Sequence, residues 1–205
     1  MARENCSRCL RPSRTCICNL MQIVDNQIEI GILQHPDEVT QSKGTAIIAK
    51  LCLTSVQQWV GESLQELPGL VNWLKDEKQV FLLYPDIDSQ AENYQKVTVE
   101  QLQKYPHETF KILIVDGTWR KTYKMMQLNE QLRALDRVVL EPIDKSTYQI
   151  RKQKDANSLS TIEAIYQLLV QLEKDPNRLD KFAPLLEAFE NMQALQLSFR
   201  NPNKD

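Results

Sequence analysis

The run Phe110-Lys111-Ile112-Leu113-Ile114-Val115-Asp116-Gly117-Thr118-Trp119 decides the fold. Ile112 to Val115 are apolar without interruption, the pattern of a strand covered on both faces and so of the middle of a sheet. Asp116 follows that strand, Gly117 supplies a turn, and the spacing predicts a helix over 118–135. Working outward, Ile28–Leu33, Val80–Tyr84 and Arg137–Leu140 read as further strands beside Phe110–Val115, bounded by Pro, Asp or Gly. Helical periodicity fits 46–60, 98–104, 160–174 and 178–197, with Asp175-Pro176-Asn177 separating the last two and Pro184 near a fresh helix start. Strands alternating with helices predict an α/β fold built on a mostly parallel sheet.

The chain has 205 residues, enough for one main core and a small appendage. Its 42% hydrophobic and 25% charged residues exclude a wholly disordered, collagen-like or membrane-spanning chain. The 5 glycines, at positions 31, 44, 61, 69 and 117, lie too far apart for a G-x-G-x-x-G turn or a G-x-x-x-x-G-K loop. Dinucleotide-binding and P-loop readings therefore lose their support. The N-terminus, Met1-Ala2-Arg3-Glu4-Asn5, lacks an apolar targeting segment, so a cytoplasmic, reducing location is the default and no membrane partner is expected. Net charge is only −2, yet residues 62–100 carry eight acids against three bases while residues 117–154 carry nine bases against four acids. An anionic partner would choose the second segment.

Four of the 5 cysteines cluster as Cys6-x-x-Cys9 and Cys16-x-Cys18, with Pro12 available to turn the loop between them. Closely spaced thiols in a reducing compartment are more often metal ligands than disulfides, and a closed four-sulfur shell suits structural zinc. Disulfides or free thiols are the alternative. The domain plan that follows is a zinc-binding ribbon over 1–22, a catalytic domain over 23–200 and a loose tail over 201–205. Cys52, in an apolar stretch, reads as a small core residue. Within residues 1–20, Arg3, Arg8, Arg11 and Arg14 face a single acid, which suits a phosphate backbone or simply keeps a small module soluble.

Ligands of open parallel sheets bind where loops leave the strands' carboxyl ends. Those loops here are His35-Pro36-Asp37-Glu38, Tyr84-Pro85-Asp86, Asp116-Gly117-Thr118-Trp119 and Glu141-Pro142. Asp116 can act on a ligand there or simply cap the next helix, as Asp often does. That helix carries apolar residues on two faces, Trp119, Tyr123 and Met126 on one and Met125, Leu128, Leu132 and Leu135 on the other, and so is expected to be sandwiched. Arg120, Lys121 and Lys124 near its start oppose the helix dipole, which hints at an anionic ligand, or else pair with acids such as Asp86. Downstream, Arg151, Lys152 and Lys154 precede Ser158, Ser160 and Thr161, and Ser160 with Glu163 makes an S-x-x-E capping box.

Taken in order, Cys6-x-x-Cys9, Cys16-x-Cys18, His35-Pro36-x-Glu38, Gly44-Thr45, Leu83-Tyr84-Pro85, Asp116-Gly117-Thr118-Trp119 and Ser160-Thr161-Ile162-Glu163-Ala164 resemble the DTW-domain family across nearly the whole chain. The resemblance is to the tRNA-uridine aminocarboxypropyltransferases of bacteria, whose Asp-x-Thr-Trp signature is met by Asp116, Thr118 and Trp119. It implies transfer of the 3-amino-3-carboxypropyl group of S-adenosylmethionine to N3 of a tRNA uridine, with release of 5′-methylthioadenosine. It also implies a fold related to the SPOUT RNA methyltransferases, in which C-terminal loops knot around the cofactor.

On that basis Asp116, Thr118 and Trp119 are the expected catalytic residues, with Asp116 the base that removes the N3 proton. Tyr84, Pro85, Asp116, Leu140, Pro142, Ser158, Leu159, Ser160, Thr161 and Glu163 are the expected cofactor contacts. Arg8, Arg11, Arg120, Lys121, Lys124, Arg151 and Lys152 are the expected RNA contacts. The partners are tRNA and S-adenosylmethionine, with structural zinc on the four cysteines; a monomer is the default assembly. Two rival readings stand beside this one. The first is an RNA methyltransferase on the same scaffold, and the second is a zinc-ribbon RNA-binding protein without turnover.

Overall fold

The computed structural model describes residues 4–85, 94–140 and 159–200. Among these residues six strands form a single parallel sheet: β1 Glu29–Gln34, β2 Val56–Val60, β3 Gln79–Leu83, β4 Lys96–Thr98, β5 Phe110–Asp116 and β6 Arg137–Val139, in the order β2-β1-β5-β3-β6-β4. β5 is buried along its whole length and lies between β1 and β3, the central position its composition predicts. The chain leaves β1 toward β2 and leaves β3 toward β4, so the connections part on either side of β5. Open α/β sheets bind ligands at the carboxyl ends of strands beside such a point.

The helices are α1 Ala46–Cys52, α2 Pro68–Leu74, α3 Val99–Leu102, α4 Trp119–Leu128, α5 Glu130–Arg133, α6 Thr161–Leu172 and α7 Ala183–Arg200. Strand periodicity sorts the core into two layers. Ile30, Ile32, Phe81, Ile112 and Ile114 face α1, α6 and α7, and share a cluster with Ile48, Ile165, Leu168 and Leu185. Leu33, Leu82, Leu113 and Val115 point the other way, toward Trp73 of α2, Met125 and Met126 of α4 and Leu132 of α5. At Gly31 the Trp73 ring lies so close that an added Cβ would stand 2.7 Å from its Cη2 atom, which is why β1 carries a glycine in a run of large apolar residues. The Trp73 indole N–H also donates to Glu29, fixing the ring over that gap.

Three sequence expectations are corrected. The stretch 46–60 is not one helix: α1 ends at Cys52, and Val56–Val60 forms the edge strand β2 beside β1. Val56 and Val60 fit a helical repeat, but the β-branched side chains and the Thr54-Ser55 break favour an extended chain. The helix over 118–135 is broken at Asn129, whose Nδ2 donates to the Met125 carbonyl and to the Glu62 carbonyl, both at 2.7 Å. Its Oδ1 accepts the Leu64 N–H at 2.8 Å, so this buried amide exchanges helix continuity for a link between two segments. Nor is α4 sandwiched: Met125 and Met126 are buried, whereas Trp119, Tyr123 and Leu128 are exposed. The strand β4 and the helix α2 lie outside the elements read from sequence.

The cysteine-bearing segment packs against this body. Ile17 is fully buried in the cluster that holds α1 and α7, and Arg11 is turned inward. Its guanidinium donates to the Gly44 carbonyl at 3.3 Å and lies 3.1 Å from the Met192 sulfur.

Candidate active site

A cavity of about 610 Å³ opens at the carboxyl ends of β3, β5 and β6. Its walls are mainly aliphatic, from Leu83, Ile114, Val138, Val139 and Leu140, and α4 and α6 close its sides with Thr118, Trp119, Thr122 and Thr161. A mostly apolar cleft of this size carrying a few polar groups suits a small ligand. Two cations, Lys96 and Arg137, also line it. Arg137 is buried, with its guanidinium 3.8 Å from the Tyr94 ring and 5.6 Å from that of Tyr84, and it donates to the Pro85 carbonyl at 3.4 Å.

Asp116 sits at the edge of this cavity, and its carboxylate points away from α4. Thr118 takes the N-cap position of α4, so the simple capping role for Asp116 does not hold. One carboxylate oxygen accepts from Gln34 Nε2 at 2.8 Å, across the register pair that joins β1 to β5. Gln34 Oε1 in turn accepts from Gln58 Nε2 at 2.6 Å, which fixes the orientation of the Gln34 amide. The other carboxylate oxygen accepts from the hydroxyl of Thr161, the first residue of α6. Burial pushes the Asp116 carboxyl above the ordinary carboxylate range; the hydrogen bonds from Thr161 and Gln34 oppose that rise, and Glu38 adds to it. Asp116 is thus a buried carboxylate joined to the cavity through one hydroxyl, since Thr161 lines the cavity and Asp116 does not.

The start of α6 is held from two directions. The Glu163 carboxylate accepts from the Ser160 N–H at 2.9 Å and from the Ser160 hydroxyl at 2.6 Å, in the capping box the sequence predicts. Thr45, buried at the start of α1, accepts the Ile162 N–H at 3.3 Å. His35 supports the other side of Asp116: its backbone N–H donates to the Asp116 backbone carbonyl at 2.9 Å. His35 Nδ1 accepts from the Asp37 N–H at 3.1 Å, so Nε2 carries the proton it donates to Glu62, 2.7 Å away.

Of the expected cofactor contacts, Tyr84, Pro85, Leu140, Leu159 and Thr161 line the cavity, whereas Ser160 and Glu163 belong to the cap behind it. Pro142 and Ser158 lie outside the described residues, as do Arg151 and Lys152 among the expected RNA contacts. Arg8 and Arg120 are exposed; Arg11, facing inward, is not placed to meet RNA. Lys121 pairs with Glu38 at 2.7 Å and Asp37 at 3.4 Å, and Lys124 pairs with Glu62. These acids answer Lys121 and Lys124; Asp86, the acid expected to pair with the bases of the first turn, lies outside the described residues. Gln34, Lys96 and Arg137 are absent from the sequence-derived site. Gln34 had a readable signal, since alternation places it on the apolar face of Ile30 and Ile32 at a strand's carboxyl end.

The four thiols of Cys6, Cys9, Cys16 and Cys18 lie within 4.8 Å of one another. The Cys6–Cys18 and Cys9–Cys16 sulfur separations are 3.6 and 3.7 Å, too long for disulfides. They match the ~3.8 Å edge of a tetrahedron built with ordinary zinc–sulfur bonds, so the donor set can hold a zinc ion. Backbone N–H groups of Cys9 and Arg8, with the neighbouring thiols, lower Cys6 to about 6, while desolvation and those neighbours push Cys18 up to about 12. Four thiolates this close repel one another, and a dication removes that cost. The turn after Cys9 places Leu10 in the left-handed region, at φ 60, and its N–H bonds back to the Cys6 carbonyl at 2.9 Å.

A parallel sheet with an apolar crevice at its carboxyl edge and a four-thiol cluster packed against it defines an α/β protein with a candidate ligand site and a candidate metal centre. The chain belongs to the DTW domain family, whose model matches residues 3–197. It is 31% identical over 181 residues to tRNA-uridine aminocarboxypropyltransferase 2 of Drosophila melanogaster, covering 85% of this chain and 68% of that protein. Against the protein of the same name from Macaca fascicularis it is 28% identical over 178 residues, covering 84% of this chain and 58% of the relative. With tRNA-uridine aminocarboxypropyltransferase 1 of Homo sapiens the identity is 26% over 203 residues, covering 83% and 64% of the two chains. This chain thus spans less than two thirds of the macaque and human proteins. No solved structure matches it. Among the described residues no helix is long and apolar enough to cross a membrane.

Proposed function

We propose that this protein transfers the 3-amino-3-carboxypropyl group of S-adenosylmethionine to N3 of a uridine in tRNA, releasing 5′-methylthioadenosine. Family membership and the names of the relatives support the reaction. The observation that carries it to a mechanism is the Asp116–Thr161 hydrogen bond at the rim of the cavity.

In this reading the cavity holds the donor, with Leu83, Ile114 and Val138 against its apolar parts and Lys96 and Arg137 complementing its carboxylate. The sulfonium has three electrophilic carbons, and the methyl is intrinsically the least hindered. Selection of the longer arm therefore rests on orientation. Uridine N3 must lose its proton before it attacks. Thr161 Oγ1 takes that proton as its own passes to the Asp116 carboxylate, whose burial-raised affinity for a proton favours the transfer. The N3 lone pair then bonds to the carbon next to sulfur, the C–S bond breaks, and its electrons return to sulfur to give a neutral thioether.

We also infer a fold related to the SPOUT RNA methyltransferases, supported by the parallel sheet and by a cavity at its carboxyl edge closed by the start of α6. Residues 1–22 would form the zinc-binding ribbon and 23–200 the catalytic domain. The metal's role is structural, because four sulfurs leave no position open for substrate. Free thiols suit the reducing cytoplasm.

Identifying the co-product tests the reaction. Incubation with tRNA and donor yields methylthioadenosine; release of S-adenosylhomocysteine would make the protein a methyltransferase, and RNA binding without either product would make it a non-catalytic binder.

A further inference from the structure

We propose that Trp119 and Tyr123 form a stacking platform for unpaired bases of the acceptor RNA, leading the reactive uridine into the cavity. This rests on the RNA-modifying reading above and identifies the surface that reading needs. The two rings occupy positions i and i+4 of α4, adjacent on one helical face, and are 48% and 50% exposed. Neither is required by the apolar core, which α4 serves through Met125 and Met126.

Trp119 belongs to the cavity wall and the outer surface at once. Inside, it packs edge-on against Tyr84, with ring centroids 6.3 Å apart, and Tyr84 is held by a contact of 3.3 Å between its hydroxyl and Thr122. Outside, Tyr123 continues the aromatic surface by one turn. Exposed Arg120 stands three residues before Tyr123, beside it on the helix, where a guanidinium can meet a phosphate of the stacked strand. Lys121 and Lys124 are committed to Glu38, Asp37 and Glu62. Among the described residues of α4, attraction therefore comes from ring surface and one arginine rather than from unpaired lysines. That combination fits single-stranded nucleic acid, whose bases stack on aromatic side chains irrespective of sequence.

The test measures binding of an unmodified tRNA transcript to the full chain by fluorescence anisotropy, alongside calorimetry with S-adenosylmethionine. Tyr123→Ala is expected to weaken RNA binding about tenfold, the scale of one lost base stack, and to raise the KM for tRNA while leaving donor affinity unchanged. Tyr123→Phe is expected to restore binding, because the ring and not the hydroxyl does the stacking. Tyr123→Ala should leave the salt dependence of binding unaltered, whereas Arg120→Ala lowers its slope by about one ion. Wild-type RNA affinity in Tyr123→Ala, or failure of the Phe variant to restore it, overturns the platform. Because binding is read without turnover, absence of transfer by the wild type would sink the proposed reaction and leave this comparison intact.

Discussion

Thr161 and Asp116, forty-five residues apart in sequence, are joined by a hydrogen bond from the hydroxyl that opens α6 to the carboxylate that ends β5. One partner lines the cavity and the other is buried behind it, so the pair connects the cavity to a carboxylate that water scarcely reaches.

Replacing Asp116 with Asn separates chemistry from architecture. An amide can still accept from Gln34 and can donate to Thr161, so the network survives while the proton acceptor is lost. Transfer should fall by about 10²- to 10⁴-fold, the range of general base catalysis. The sign of the stability change is equally definite. The folded-state pKa of Asp116 is raised, so its effect on stability is most favourable below the unfolded value of about 3.9 and is lost as pH rises through the folded value. At pH 7 the Asn variant is therefore at least as stable as the wild type in denaturant titration. A variant that unfolds more easily would contradict the burial argument.

Thr161→Val removes the relay hydroxyl at nearly constant volume. It should lower kcat by at least tenfold and leave donor binding within a few-fold of wild type, with Thr161→Ser recovering most of the rate. Full activity in the Val variant would mean that the N3 proton leaves by another route. Because Asp116 must be ionised to accept the proton, kcat/KM should rise with pH along an acid limb centred above the ordinary carboxylate range.

Metal analysis of freshly purified protein should find one zinc ion per chain. Cys6→Ser or chelation should remove it and destabilise the fold by several kcal/mol, since Ile17 anchors the cysteine segment in the main core. The choice of carbon transferred from the donor should not change in any residual activity.

At Gly31 the ring of Trp73 leaves no room for a methyl group, and Trp73 is itself bonded to Glu29. Gly31→Ala should therefore cost about 1–3 kcal/mol in thermal or denaturant unfolding, as overpacking in a dense core does. An unchanged midpoint would show that α2 can shift away from the sheet without loss.

The sequence makes β5 legible because an uninterrupted apolar run has one plain use, a central strand in a parallel sheet. Asp116, the four cysteines and the Ser160–Glu163 cap are legible for the same kind of reason, since each is a local pattern with a local cause. β2 is not, because Val56 and Val60 are spaced as a helix would space them, and only the neighbouring β1 makes the extended form favourable. Nor does composition reveal β4, three residues long, or Lys96 and Arg137, which meet only when β4 and β6 pair. The inward turn of Arg11 depends on Met192 in a distant helix, a partner that charge counting along the chain does not include.

The most direct measurement follows two labels in the donor through single turnovers on tRNA, one in its methyl carbon and one in its amino-acid chain, with mass spectrometry of the digested nucleosides. The account predicts that the chain label arrives on uridine and the methyl label stays with the released thioether. Methyl label on the RNA, or neither label there, would contradict it.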